Sequence, residues 1–453
     1  MIDKNNFPKD FIWGTATSSY QIEGAPDTDG KGPSVWDTFS HSNGNIKNGD
    51  TGDIACDHYH LWPDDLELLK NLGVDSYRFS ISWPRIFPTG KENVPNQKGL
   101  DFYSRLVDAL LENNITPFIT LNHWDIPQGL EDEGGWPNRM MVDAFIKYSF
   151  HTSKHLGDRV KYWITHNEPW CVSHIGYIAG HKPPGLKNDW PKSLAAAHHL
   201  LLSHGMSLPE IKNNSKGSEV GITLNLNTAI PASPSKYDEE ACRFFDGMFN
   251  RLFLEPLYEK RYPLDLFDKL KKRNDIVDSD IDFIQDNDLE LISTKTDFLG
   301  VNYYSRGVIR NEEIDENKNL PKNVKMGPNT DFGWEVYPPG IYDLLIKLKN
   351  KYGVEDIYIT ENGCSYNDGP RLDKKIHDQR RIDYHQSHLD EIQKAIKNGV
   401  KCKGYFAWSL MDNFEWAQGF SQRFGLVWVD FNSLERIPKE SYYWYKSYIS
   451  KNK

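Results

Sequence analysis

Short apolar, β-branched runs alternate with amphipathic helical stretches along almost the whole chain. Strand-like runs fall at residues 11–17, 74–80, 116–121, 160–165, 220–224, 298–301, 357–360 and 400–408. Helical patterns lie between and after them, at about 62–73, 100–113, 139–156, 193–213, 340–352, 378–398 and 440–450, with a longer helical insertion over 238–290. In the first, Pro63, Asp64 and Asp65 open the helix, Leu66, Leu69 and Leu72 share a face, and Gly73 ends it. Tyr103, Leu106, Val107 and Leu110 repeat at helical spacing in the second. No linker or low-complexity tract interrupts the series. Eight βα units predict one α/β domain over 1–453, a closed (β/α)8 TIM barrel whose long βα loops form an active-site pocket. A doubly wound open sheet is the alternative, but it would carry a Gly-rich phosphate turn after an early strand, and none is present.

The barrel gives meaning to polar residues at strand ends, because the C-terminal rim is where such folds build their sites. Gln21, Arg78, His123, Asn167, Glu168, Asn302, Tyr304, Glu361 and Trp408 all fall at or just after a strand end.

Composition narrows the chemistry. The net charge of −11 argues against a nucleic-acid partner, which calls for a basic face. No run approaches the roughly 18 apolar residues of a membrane span, and the opening Met1-Ile2-Asp3-Lys4-Asn5-Asn6 has no apolar signal core. Cys56, Cys171, Cys242, Cys364 and Cys402 are odd in number and never at CxxC spacing, which fits a reducing cytoplasm better than a disulfide framework or a zinc site. The 14 Trp, 23 Tyr and 22 Phe include several beside hydrogen-bonding residues, as in His123-Trp124-Asp125 and Asn413-Phe414-Glu415-Trp416. Flat apolar faces interleaved with donors and acceptors suit sugars.

Two carboxylates stand out. Glu168 follows the fourth strand and Glu361 the seventh, so their ends face each other across the barrel mouth. Two carboxyls in one desolvated pocket do not both ionise freely, and one acid beside one anion is what glycoside cleavage uses. Arg78 and Tyr304 are placed to hydrogen-bond Glu361 and favour its anion, the state of a nucleophile. Pro169 biases Glu168 toward extended backbone. With no evident cation nearby and with Trp163 and Trp170 in its neighbourhood, Glu168 is the candidate for the raised-pKa acid.

Read together, the motifs resemble glycoside hydrolase family 1, a β-glucosidase-type family, along essentially the whole chain. The resemblance rests on Phe11-Ile12-Trp13-Gly14 through Gln21-Ile22-Glu23-Gly24, Tyr77-Arg78-Phe79-Ser80, His123-Trp124-Asp125-Ile126-Pro127 and Thr165-His166-Asn167-Glu168-Pro169-Trp170. Asn302-Tyr303-Tyr304, Ile359-Thr360-Glu361-Asn362-Gly363 and Trp408-Ser409-Leu410-Met411-Asp412-Asn413-Phe414-Glu415-Trp416 complete it. It implies retaining hydrolysis of terminal β-linked sugars from β-glucosides and short oligosaccharides such as cellobiose, as in cellulose breakdown, with no metal and no cofactor. By resemblance, Glu168 is the acid/base and Glu361 the nucleophile. The sugar pocket falls on Gln21, His123, Trp124, Asn167, Asn302, Tyr304, Trp408, Glu415, Trp416 and Phe424, with Arg78 in support and Trp334 on the leaving-group side. Glu415 stands where relatives acting on 6-phosphorylated sugars carry a small hydroxyl residue, and a carboxylate there would repel a phosphate. His166 departs from the usual Phe and is expected to pack beneath the site, with an effect on Glu168 left open. Side activity on β-galactosides and β-fucosides is expected, because Gln21, His123, Glu415 and Trp416 can accept either epimer. A sugar-binding protein with an inactive site, and a metal-dependent hydrolase using His58-Tyr59-His60 or His198-His199, remain as alternatives. The oligomeric state is open.

Overall fold

The computed structural model describes residues 7–311, 322–373 and 375–453. The polar stretch at 1–6, read above as lacking a signal core, lies outside them.

Eight parallel strands close into a barrel, and sequence order is also spatial order. They are Ile12–Ala16, Ser76–Ser80, Thr116–Asn122, Tyr162–Asn167, Glu219–Asn225, Phe298–Asn302, Asp356–Asn362 and Lys401–Trp408. The first strand pairs with both the second and the eighth, which leaves no open edge among them.

Strand alternation sorts the core into two layers. Phe118, Ile164, Phe298, Tyr358 and Phe406 point inward and fill the barrel, with Phe118 lying 4.2 Å from the Tyr162 ring and 4.9 Å from that of Phe406. Tyr77, Phe79, Trp163, Ile357 and Ile359 point outward against the helices. The aromatic filling makes the barrel a solid floor beneath the rim, and truncating such a ring to alanine costs about 3–5 kcal/mol.

The main outer helices are His58–Leu72, Gln97–Glu112, Met140–Leu156, Trp190–Asn214, Pro339–Tyr352, Gln379–Lys397 and Glu440–Asn452. The first begins a turn earlier than Pro63 implies, so that proline sits inside the helix rather than at its start. The insertion expected over 238–290 is several pieces: Lys236–Asp246, Leu252–Glu259, Leu264–Lys272 and Asp288–Ile292. Lys260, in left-handed backbone at φ 54°, and Pro263 break its middle. Periodicity also missed two small sheets, whose strands of two to four residues are too short to show it: Ala229–Pro231 with Gly307–Arg310 and Lys322–Asn323, and Val427–Val429 with Arg436–Pro438. Among the described residues no helix is long and apolar enough to cross a membrane.

Candidate active site

Both carboxylate-bearing strand ends carry an extra residue. On the seventh strand Ile359 and Glu361 face the consecutive residues Val301 and Asn302, so one residue is left over. On the fourth, Ile164 and Asn167 face Gly221 and Thr223, again one too many. A bulge of this kind re-aims side chains. Strict alternation would turn Glu361 outward with Ile357 and Ile359; the bulge brings it into the mouth instead. It also turns Asn167 inward while His166 points out against the Phe145 ring, 4.2 Å away. His166 there bonds Asn122 at 3.1 Å and Ser203 at 2.9 Å, and burial drives its pKa well down. It therefore packs behind the strand and does not touch Glu168.

Glu361 is buried, and each of its oxygens has one donor. Arg78 Nη1 reaches Oε1 at 2.7 Å and Tyr304 Oη reaches Oε2 at 2.6 Å. Arg78 is wholly buried, and its remaining hydrogen bonds go to the Thr360 carbonyl at 2.9 Å, Asn167 Oδ1 at 2.6 Å and Thr120 Oγ1 at 3.2 Å. The two contacts expected from the sequence are both present and both favour the anion, but burial outweighs them. Burial pushes Glu361 up to about 7; Arg78 pulls it back, the charge of Glu168 pushes it further, and Tyr304 pulls back. Tyr304 itself is driven well above the usual phenol range by burial and then by Glu361, so in this hydrogen bond the phenol keeps the proton.

Glu168 is held differently. Asn302 Nδ2 donates to Oε1 at 2.7 Å and the Cys171 thiol to Oε2 at 3.1 Å. Its backbone lies at φ 50°, not in the extended region that Pro169 would favour, and a left-handed non-glycine residue costs about 1–2 kcal/mol. The Glu168 amide bonds the Thr223 carbonyl at 2.9 Å, which helps to hold that conformation. Two further expectations need correction. Trp163 is far down the strand wall, bonded to Ser215, so it does not form an apolar cover for Glu168; Trp170 does lie in the loop, against His174 and Phe249. A cation is also present: Lys182, whose charge interacts with Glu168, Glu361 and Glu415.

One hydrogen-bonded chain joins the two carboxylates. From Glu361 it runs through Arg78 to Asn167 Oδ1, on to Asn302 Nδ2 at 3.1 Å, and then to Glu168. Thr360 Oγ1 fixes Asn302 by donating to its Oδ1 at 2.7 Å, and Thr223 in turn bonds Thr360 at 3.2 Å.

The pocket wall gathers the other expected residues. His123 Nε2 meets Asn167 Nδ2 at 3.1 Å, and its ring lies nearly parallel to those of Trp408 and Trp416, at 5.9 and 6.0 Å. Among the described residues His123 Nδ1 is buried without a partner, a group left open for a ligand. The Trp124 indole donates to the Asn167 carbonyl at 2.8 Å, and its rings lie 4.4 Å from those of Trp416. Gln21 spends its amide on Asn413 at 3.0 Å and the Phe414 carbonyl at 2.8 Å, with only a long 3.4 Å contact to Glu415. Glu415 is pushed up to about 8 by burial, against the pull of Lys182. Trp334, Tyr304 and Phe424 form a second aromatic wall, with Trp334 5.0 Å from Tyr304 and 6.0 Å from Phe424.

Sequence reading missed Thr223, Thr360, Cys171 and Lys182. Thr360 and Cys171 were legible as neighbours of the two glutamates; Lys182 lies in an irregular loop whose path no periodicity reports. The histidine pairs go elsewhere: His58 bonds Asp65 at 2.7 Å, His60 bonds Asp57 at 2.6 Å, and His198 bonds Tyr262 and Asp288. Among the described residues no three His, Cys, Asp or Glu side chains are grouped as metal ligands would be.

The family model described as Glycosyl hydrolase family 1 matches residues 3–453. This chain belongs to that family. It is 48% identical over 453 residues to beta-glucosidase A of Acetivibrio thermocellus, covering 100% of both chains. It is 46% identical to a 1,4-beta-D-glucan glucohydrolase of Thermotoga neapolitana, covering 98% of each. The solved Thermotoga maritima beta-glucosidase in complex with glucoimidazole superposes with a TM-score of 0.93 at 45% identity, over 99% of this chain and 100% of that one. The family membership agrees with the barrel and with the resemblance drawn from the motifs.

Proposed function

We propose that the chain is a retaining β-glucosidase that removes terminal β-D-glucosyl residues from β-glucosides and short oligosaccharides such as cellobiose. The observation that carries this reading is the buried chain Glu361–Arg78–Asn167–Asn302–Glu168, which fixes two carboxylates around one pocket. In the reaction, Glu168 donates a proton to the glycosidic oxygen while Glu361 attacks the anomeric carbon and displaces the leaving group. The resulting glycosyl ester on Glu361 is cleaved by water, from which Glu168 takes a proton, and glucose leaves with its configuration retained. Glu168 must therefore carry a proton when substrate is bound and Glu361 must not. Entry of the sugar displaces water and changes the balance among the carboxylates.

The remaining roles follow from unspent hydrogen-bonding capacity. Glu415 and His123 Nδ1 take hydroxyls of the sugar, with Gln21 beside them, while Trp408, Trp416 and Trp124 supply apolar faces. Asn167 and Glu361 share the 2-hydroxyl, Asn302 and Tyr304 complete the reacting end, and Trp334 and Phe424 border the leaving group. Turnover of β-galactosides and β-fucosides at lower rate is part of the same proposal, as is a place in cellulose breakdown. The five cysteines are free and buried, which suits a reducing cytoplasm. The test is a kinetic panel of aryl β-glycosides with cellobiose and lactose. Cleavage with glucosides preferred supports the reading, and binding of sugars without turnover would instead support a non-catalytic lectin-like role.

A further inference from the structure

We propose that Lys182 is a positioning residue of this site: a tethered cation that sets the charge balance of Glu168, Glu361 and Glu415 and disfavours a second cation in the sugar pocket. The inference rests on the glycosidase reading of the site. Lys182 follows the helical turn Cys171–Ala179, and its loop is tied back to that turn by Leu186 N to Gly176 O at 2.9 Å, Asn188 N to Ile178 O at 3.0 Å and Asp189 N to Tyr177 O at 2.9 Å. Gly180, at φ 73°, makes the reversal into the loop. The ammonium then lies 3.1 Å from the centre of the Trp124 ring, 5.1 Å from that of Trp416 and 6.0 Å from that of Trp36. Among the described residues it makes no hydrogen bond or ion pair, so no single acceptor explains where it sits.

The charged groups around it come from several elements. Burial lowers the Lys182 pKa, and the charges that oppose this belong to the Cys171 thiol and Glu168 in the loop after the fourth strand, Glu415 in the loop after the eighth and Glu361 on the seventh strand. Glu131 lines a side cavity with Lys182, Trp36, Trp124 and Cys171, and burial pushes it up to about 7. The other cation, Arg78, is already committed to Glu361 and Asn167. Burial keeps His123 well below its ordinary pKa, with Arg78 and Lys182 adding to the effect, so it is neutral. Among the described residues these three carboxylates thus share two cations, and without Lys182 they would share one. Simple packing of an ammonium on tryptophan would change stability but not the ionisation of the pocket.

The experiment compares wild type, Lys182→Met and Lys182→Arg by the pH dependence of kcat/KM on an aryl β-glucoside. In parallel, calorimetry measures binding of protonated deoxynojirimycin relative to uncharged glucose. Loss of the cation raises the pKa of nearby carboxyls, so Lys182→Met should move both limbs of the profile upward by roughly one pH unit. It should also favour the iminosugar over glucose by about tenfold, the same energy read as binding. Lys182→Arg should restore both. A Lys182→Met profile that superimposes on wild type, with an unchanged binding ratio, overturns the proposal. Lys182→Gln replaces the Met variant if that one does not fold. Absence of turnover in wild type would count against the glucosidase reading alone, since the binding ratio still reports on Lys182.

Discussion

The two carboxylates sit on equivalent strand ends, each behind a bulge, yet they are held in opposite ways. Glu361 is fixed by the buried Arg78 and the partly buried Tyr304 of the barrel rim. Glu168 begins a loop in left-handed backbone, and its donors are a neutral amide and a thiol. The group that must attack carbon is locked in direction. The group that must shuttle a proton has softer partners. Burial raises the Glu361 pKa nonetheless, so its two donors fix the direction of the carboxylate without depressing its pKa.

The largest effect that probes this contrast is Glu361→Gln. It keeps the shape and removes the nucleophile, so turnover of every glucoside should fall by about 10⁴-fold or more while the thermal transition stays cooperative. Near-normal turnover would break the assignment at once. Glu168→Ala should separate substrates: a roughly 10²–10⁴-fold loss on alkyl glucosides and cellobiose, whose leaving groups need a proton, and a much smaller loss in the first step on dinitrophenyl glucoside. Equal losses on both would mean that Glu168 is not the acid.

How far the sequence goes is clear from these same residues. All eight strands and the strand-end glutamates follow from short apolar runs set between helical patterns and from rim logic, because a parallel strand buried on both faces reads as a near-continuous apolar run. The bulges do not, since one extra residue changes no composition; they alone explain why Glu361 faces in and His166 faces out. The left-handed Glu168 ran against its local proline bias, because the Thr223 carbonyl and the site's hydrogen bonds outweigh a cost of about 1–2 kcal/mol. Lys182 stayed hidden because its position depends on a loop folded back on its own helical turn.

Smaller effects sharpen the comparison. The acid limb of kcat/KM reports the carboxyl that must be ionised in the free enzyme. Since Glu361 is raised toward 7 by burial, activity should fall as pH drops through about 7, not through the ordinary range near 4.5. A limb near 4.5, measured on an activated glucoside, would mean that Arg78 and Tyr304 outweigh burial. His166→Phe should do least to catalysis. It removes bonds to Asn122 and Ser203, so stability should fall by about 1–3 kcal/mol in denaturant titration, with turnover and pH profile unmoved. A shifted alkaline limb in that variant would show that His166 does reach Glu168 electrostatically.

The central claim is that Glu361 becomes covalently bonded to the sugar. Incubation with a 2-deoxy-2-fluoro-β-glucoside bearing a good leaving group slows the second step, so the glycosyl ester accumulates. Mass spectrometry of the digested protein should then find one added fluoroglucosyl group, on the peptide that contains Glu361. No adduct after inactivation, or an adduct on the Glu168 peptide, would contradict the account.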